Sequence, residues 1–321
     1  MLQRCYLMIL LVFMLASCSH FGHRNQVSEP VLKQSKSSMK QHRAVGMFNQ
    51  IDIKGRVNVS LHTGYKKPEL VLTGDPRDLE QVKTVVTQST LYISLGNGYP
   101  QHGAVHAEIR GRFLNRFQYE GAGTITGDKL HSSYLDLFLA NEGTTRLGGS
   151  LGLHTLMVAG NGLTQISGIT SRYLQVTLKG SPKLQLTGQV NLAKLHVDGD
   201  GWLSLYWIKS ENLTIRAKNH SRIKLAGVVN RLDVELWGYA QFKGRYLRAQ
   251  RSFVKTHDRA VAEISTLNHQ STMSTDSSDI YYYNIPNTRA DFMAYDGSVL
   301  NMREWDQYDL QDYTRYNKQF P

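Results

Sequence analysis

Leu195-His-Val-Asp-Gly-Asp-Gly-Trp-Leu-Ser-Leu-Tyr-Trp207, Leu213-Thr-Ile-Arg-Ala-Lys-Asn-His-Ser-Arg-Ile-Lys-Leu-Ala-Gly227 and Leu232-Asp-Val-Glu-Leu-Trp-Gly-Tyr-Ala-Gln-Phe-Lys-Gly244 repeat one layout. Each copy alternates apolar and polar residues, breaks at a short Gly, Asn or Asp turn, and alternates again. That is strand, turn, strand. Two earlier copies, Leu156–Gly168 and Leu174–Gly188, share it. Working outward, one apolar column reads Leu137, Leu156, Leu174, Leu195, Leu213 and Leu232, in steps of 19, 18, 21, 18 and 19 residues. A second reads Leu147, Ile166, Leu186, Leu205, Leu225, Phe242 and Ile264. Alternate side chains of a coiled sheet point into its axis, and equivalent residues stack at about 4.8 Å from coil to coil. The period therefore predicts an all-β, right-handed parallel β-helix (solenoid) of about ten coils, roughly 50 Å long. A hairpin sandwich, the competing architecture, has no constant coil period. Asn161-Gly162, Asp200-Gly201 and Gly238-Tyr239 are the expected turn positions, where Gly or Asn tolerates positive φ.

The ends of the sequence differ from its middle. Arg4, an apolar run from Tyr6 to Ala16 and then Leu15-Ala16-Ser17-Cys18 form a lipoprotein signal, 1–17, with Cys18 as the lipid anchor. The run is far shorter than the roughly 20 residues of a spanning helix. Cys5 leaves with the signal, so no disulfide or thiolate metal site is expected. Ser19, where an Asp would retain the protein at the inner membrane, points to outer-membrane sorting in the cell envelope. Residues 18–44, rich in Ser, Gln, Lys and Arg, read as a flexible tether. Residues 45–104 are an N-terminal β segment or cap, 105–300 the solenoid repeats, and 301–321 an acidic, aromatic C-terminal cap or partner-binding tail.

The full sequence has 37 Lys and Arg against 26 Asp and Glu, a formal charge of +11. Such a surface attracts anionic headgroups, acidic glycans or nucleic acid, although Lys and Arg look scattered along the chain and nucleic acid is not the expected partner.

Phe48-Asn-Gln-Ile-Asp-Ile-Lys-Gly-Arg-Val-Asn-Val-Ser-Leu61, Leu70-Val-Leu-Thr-Gly-Asp-Pro-Arg-Asp-Leu79 and Leu91-Tyr-Ile-Ser-Leu95 come in an order that resembles the opening of the head GIN domain family of auto-transporter adhesins. The Gly-Ser-Gly-like turns of that family are matched by Glu120-Gly-Ala-Gly123, Gly160-Asn-Gly162, Asp198-Gly-Asp-Gly201 and Trp237-Gly-Tyr239, and its Tyr-rich ending by Ile280-Tyr-Tyr-Tyr-Asn-Ile-Pro286. Arg289 to Met302 extend beyond that pattern, and Asn219-His-Ser221 and His257-Asp-Arg259 have lost turn glycines. The resemblance implies a β-helical fold, an envelope location and an adhesive role, with no catalytic residues to carry over.

Catalytic motifs are weak. Gly148-Gly-Ser150-Leu-Gly152 matches a nucleophile elbow in letters, but no helix is expected after it. Asp198, Asp200, Asp258 and Glu263 are the acids a polysaccharide-cleaving β-helix would need, yet Asp is an ordinary turn former. His102 and His106 have no third ligand close in sequence. No cofactor and no metal is expected. Trp202, Tyr206, Trp207, Trp237 and Tyr239 are the candidate ligand-binding aromatics, since exposed rings stack on sugars or protein partners. A glycan or protein ligand, or a second copy of the chain against a flat solenoid face, is the expected partner. The rivals are a polysaccharide-active enzyme and a scaffold for envelope assembly.

Overall fold

The structure, a computed structural model, describes residues 38–302. The signal, Cys18, most of the tether and nearly all of the C-terminal segment lie outside those residues. What is described is almost entirely strand, wound into a β-solenoid of about nine turns, one fewer than expected.

The body is eight consecutive strands of 15 to 18 residues: β9 (Ile125–Asn141), β10 (Thr144–Gly160), β11 (Leu163–Gly180), β12 (Lys183–Gly199), β13 (Trp202–Lys218), β14 (Arg222–Leu236), β15 (Gln241–Thr256) and β16 (Val261–Thr275). Each pairs in parallel with the next, and the register slips inside most pairs where the strand rounds a corner. A single strand therefore contributes one segment to a first face, such as Leu163–Ile166, and another to a second, such as Gln175–Gly180. Inward residues of both faces form one continuous aliphatic core.

The expected columns keep the right face but not always the right row. Leu156 pairs with Val176 rather than Leu174, and Leu195 with Ile215 rather than Leu213. Beyond Leu225 the second column slips as well, since Phe242 pairs with Ile223 and Ala262. A two-residue slip preserves the side of the sheet, so every expected residue is still buried, whereas corner bulges make spacing a poor guide to register. At Gly244 a Cβ would stand 2.4 Å from Phe242 Cζ: the large ring occupies the room its glycine neighbour leaves.

One corner has a left-handed residue in almost every coil. Gly160, Gly180, Gly199, Asn219, Gly238, Asp258, Asp276 and Asp296 have φ of 94°, 80°, 123°, 62°, 70°, 60°, 61° and 58°. Two of the expected turns are thus one residue late, with Gly160 and Gly199 making the bend. Gly162 is needed for close approach instead, because its Cβ would stand 2.2 Å from the Gly143 carbonyl oxygen. Where glycine is lost, Asn and Asp replace it, the residues that best tolerate this region.

The N-terminal end is not stacked in sequence order. β2 (Gln50–Lys54) lies between β6 (Thr90–Leu95) and β8 (Arg116–Gly121), and β3 (Val57–His62) lies between β7 (Val105–Arg110) and the start of β9. Beyond them β4 (Glu69–Gly74) runs antiparallel to β7, and β5 (Val82–Thr87) antiparallel to β6. Between β4 and β5 the short helix α1 (Pro76–Glu80) is capped by Asp75. β1 (Met39–Arg43) pairs antiparallel with β4, so residues 39–43 of the expected tether are a strand. An edge strand is held by its backbone and can be polar, which hides it from a hydrophobicity reading. The Arg43 guanidinium donates to the Leu79 and Val82 carbonyls.

At the other end β17 (Asp279–Tyr282), β18 (Arg289–Tyr295) and β19 (Ser298–Asn301) complete the last coils. The core there turns polar: Val254 is followed in its row by Thr272, and Leu236 by Thr256 and Ser274. Whether 301–321 caps this end falls almost wholly outside the described residues.

Candidate binding surface

The five candidate aromatics occupy three neighbouring places. Trp237 and Tyr239 sit on the left-handed corner at Gly238. Trp202 and Tyr206 alternate outward on the first face of β13, both half-buried, with Ser204 between them. Trp207 lies at the far end of that face. Its φ of 72° matches the 69° of Gly168 in the same Leu/Ile-x-x-Ile context. A bulky left-handed residue costs about 1–2 kcal/mol, which glycine would avoid.

The corner side chains stack from coil to coil. Trp237 lies between the Lys218 ammonium, 5.3 Å from its ring centre, and the His257 ring, 5.6 Å away and 14° from parallel. One column over, Tyr239 lies between His220 and the Arg259 guanidinium, which is 5.8 Å from the ring centre. Asp200 continues that column, its carboxylate 3.4 Å from His220 Nδ1. His257 Nδ1 is 3.0 Å from Thr275 Oγ1. Hydrogen bonds from Thr275 and from the Asp258 backbone N–H hold the Asp276 carboxyl below the usual carboxylate range. Ring faces in this ladder are covered by neighbouring coils, so a ligand meets ring edges, the indole N–H, the phenol and the flanking cations.

The first face supplies what the sequence hid. Residues 202–260 hold twelve Lys and Arg against four Asp and Glu, most of the net charge of the whole chain. Of these, Arg222, Lys224 and Lys243 come together on the first face with Lys183 when the chain coils. Lys183, Trp202, Arg222 and Gln241 follow one another in register, and beside them run Gln185, Ser204, Lys224 and Lys243. Lys183, Arg222, Lys224 and Lys243 are exposed, and among the described residues none forms an ion pair. The Lys224 ammonium reaches over the Tyr206 ring at 5.9 Å. Glu263 follows Lys243 and closes the row.

The catalytic candidates do not converge. Ser150 lies inside β10, beside His131 of the preceding coil, and the strand continues past it. Asp198 accepts from Asn219 Nδ2, Asp200 from the His220 backbone and Asp258 from the Gly238 backbone. These are turn contacts, and with Glu263 on the first face the four acids share no column. His102 Nδ1 is 3.1 Å from Asp78 Oδ1, which pins the loop before β7. His106 points from β7 into a polar groove of about 520 Å³ with Asn58, Ser60 and Glu108. Among the described residues no three His, Cys, Asp or Glu are placed to hold a metal. Nor is any helix there long and apolar enough to cross a membrane.

Residues 47–217 and 174–286 match the family described as "Putative auto-transporter adhesin, head GIN domain". No curated protein matches the sequence. Solved structures similar to the chain include a "Putative lipid binding protein" from Parabacteroides distasonis, 15% identical, covering 84% of this chain and 98% of that one at a TM-score of 0.45. A "putative adhesin" from the same organism is 13% identical over 83% and 97%, with a TM-score of 0.49. Another "putative adhesin", from Bacteroides fragilis, is 16% identical over 83% and 98%, with a TM-score of 0.32.

Proposed function

Because the chain belongs to the head GIN domain family of auto-transporter adhesins, we propose that it is a non-catalytic envelope adhesin, held to the outer membrane by a lipid on Cys18 and binding a surface ligand through the outer side chains of coils β12 to β15. One observation carries this reading. A repeating fold contains its own control, since register-equivalent positions meet the same structural demand. The corner position of Trp237 is Ala140 and Ala159 in earlier coils, and the position after the left-handed residue, Tyr239 here, is Ser181 and Ser277 elsewhere. Small residues satisfy the fold, so the large aromatics and cations answer to something outside it. Aromatics and cations at a solvent-facing ridge are the side chains that dominate recognition surfaces.

Capture of glycans and envelope proteins by the purified full chain, compared with Trp202→Ala and Trp237→Ala, tests the proposal. Loss of capture with a fall of no more than a few degrees in unfolding temperature supports it. Undiminished capture by both variants removes these coils as the binding surface.

A further inference from the structure

We propose that the first face of β12 to β15 is a track for a linear acidic polysaccharide, whose carboxylate or sulfate groups are met by Lys183, Arg222, Lys224 and Lys243. This rests on the adhesin reading and names the ligand class of its surface.

The cations are placed where a sheet disfavours them. Lys224 and Lys243 are direct partners on adjacent parallel strands, with Arg222 two residues along. Like charges directly opposite each other destabilise a sheet. The row begins with Arg146, but the three coils between it and Lys224 carry uncharged residues, Gln165, Gln185 and Ser204, so only Lys224 and Lys243 set two cations side by side. Among the described residues no carboxylate pairs with these four cations. An arriving polyanion relieves their repulsion and releases its own condensed counterions, so binding is driven by charge and weakens as salt rises.

The geometry selects the form of the ligand. The cations lie in two rows along the solenoid axis, Lys183 two coils from Arg222 and Lys224 one coil from Lys243 at about 4.8 Å per coil, so they suit an anion that repeats along a line. Trp202 and Tyr206 lie within the same face and are half-buried, with Ser204 between them only 7% exposed. They offer half-buried aromatic surface beside the cations, with Lys224 over the Tyr206 ring, and do not protrude as a membrane-inserting side chain must.

The purified full chain is titrated with polygalacturonate, dextran sulfate, neutral dextran, single-stranded DNA and phosphatidylglycerol vesicles at two or more salt concentrations. The expected result is salt-sensitive binding to both acidic polysaccharides and none to neutral dextran. The K224E/K243E double variant should bind at least tenfold more weakly, with a salt slope shallower by roughly one to two units. K66E/K67E, the same charge change on the exposed β3–β4 loop, should stay within twofold of the parent, and both should keep its unfolding temperature. Equal loss in the two double variants, equal binding to neutral dextran, or preference for DNA or vesicles overturns the inference. If acidic polysaccharides fail while capture dependent on Trp202 and Trp237 persists, this inference falls and the adhesin reading stands.

Discussion

The ring of Tyr239 lies flat on that of His220, centroids 4.8 Å apart and planes 2° from parallel. With Arg259 on its other side, Tyr239 is a rung in a ladder built by stacking coils, and its contribution to stability comes from two exposed ring contacts and a 3.3 Å hydrogen bond from the Arg259 guanidinium to its phenol oxygen. Replacing it with Ser, the residue at this place in two other coils, should cost about 0.5–1.5 kcal/mol. That corresponds to a fall of a few degrees in unfolding temperature for a chain of this size. Calorimetry of Tyr239→Ser measures it; unfolding at room temperature would make Tyr239 a structural residue.

Asn219 bends its corner at a φ of 62° where neighbouring coils use glycine. Asn219→Gly should be within about 0.5 kcal/mol of the parent, losing only an exposed hydrogen bond to Asp198. Asn219→Ala should cost about 1–2 kcal/mol, because alanine has neither freedom nor a side chain suited to the left-handed region. Denaturant unfolding of the pair gives the comparison, and equal stabilities would contradict the corner assignment.

Thr272 is 2% exposed, and its hydroxyl has no hydrogen-bond partner, although it sits in the row of Val234 and Val254. An unpaired buried hydroxyl costs about 1–3 kcal/mol. Thr272→Val should therefore raise the unfolding temperature. A fall would mean that the polar end of the core satisfies this hydroxyl.

The buried Asp78 carboxylate is disfavoured by burial, but hydrogen bonds from the Gln101 N–H, the His102 ring and the His102 N–H outweigh this and place its carboxyl below the usual range. A depressed folded-state pKa stabilises the protein above the unfolded value of about 3.9 and is lost as pH falls through the folded one. Asp78→Asn should be less stable at pH 7 and show a flatter loss of stability below about pH 4. Parallel curves for the two proteins would exclude this role for Asp78.

The inward side of each strand was readable in the sequence because alternation survives any slip of two residues, as the burial of both Leu174 and Val176 shows. Register was not, since corner bulges vary and spacing averages over them. The layer order at the N-terminus was hidden for another reason: nothing along the chain says that β2 stacks between β6 and β8. Trp237 and Tyr239 could be found as large residues beside a turn glycine. The cationic face could not, because Lys224 and Lys243 are nineteen residues apart in sequence and become neighbours only when a full coil closes.

The central claim is that the outer side chains of β12 to β15 serve a ligand and not the fold. A single variant carrying Trp237→Ala, Tyr239→Ser, Lys224→Gln and Lys243→Gln, each matching an equivalent position in another coil, separates the two. Unfolding temperature and polygalacturonate binding are measured on the same preparation. The account predicts an unfolding temperature within a few degrees of the parent and binding lost; full binding, or collapse of the fold, would contradict it.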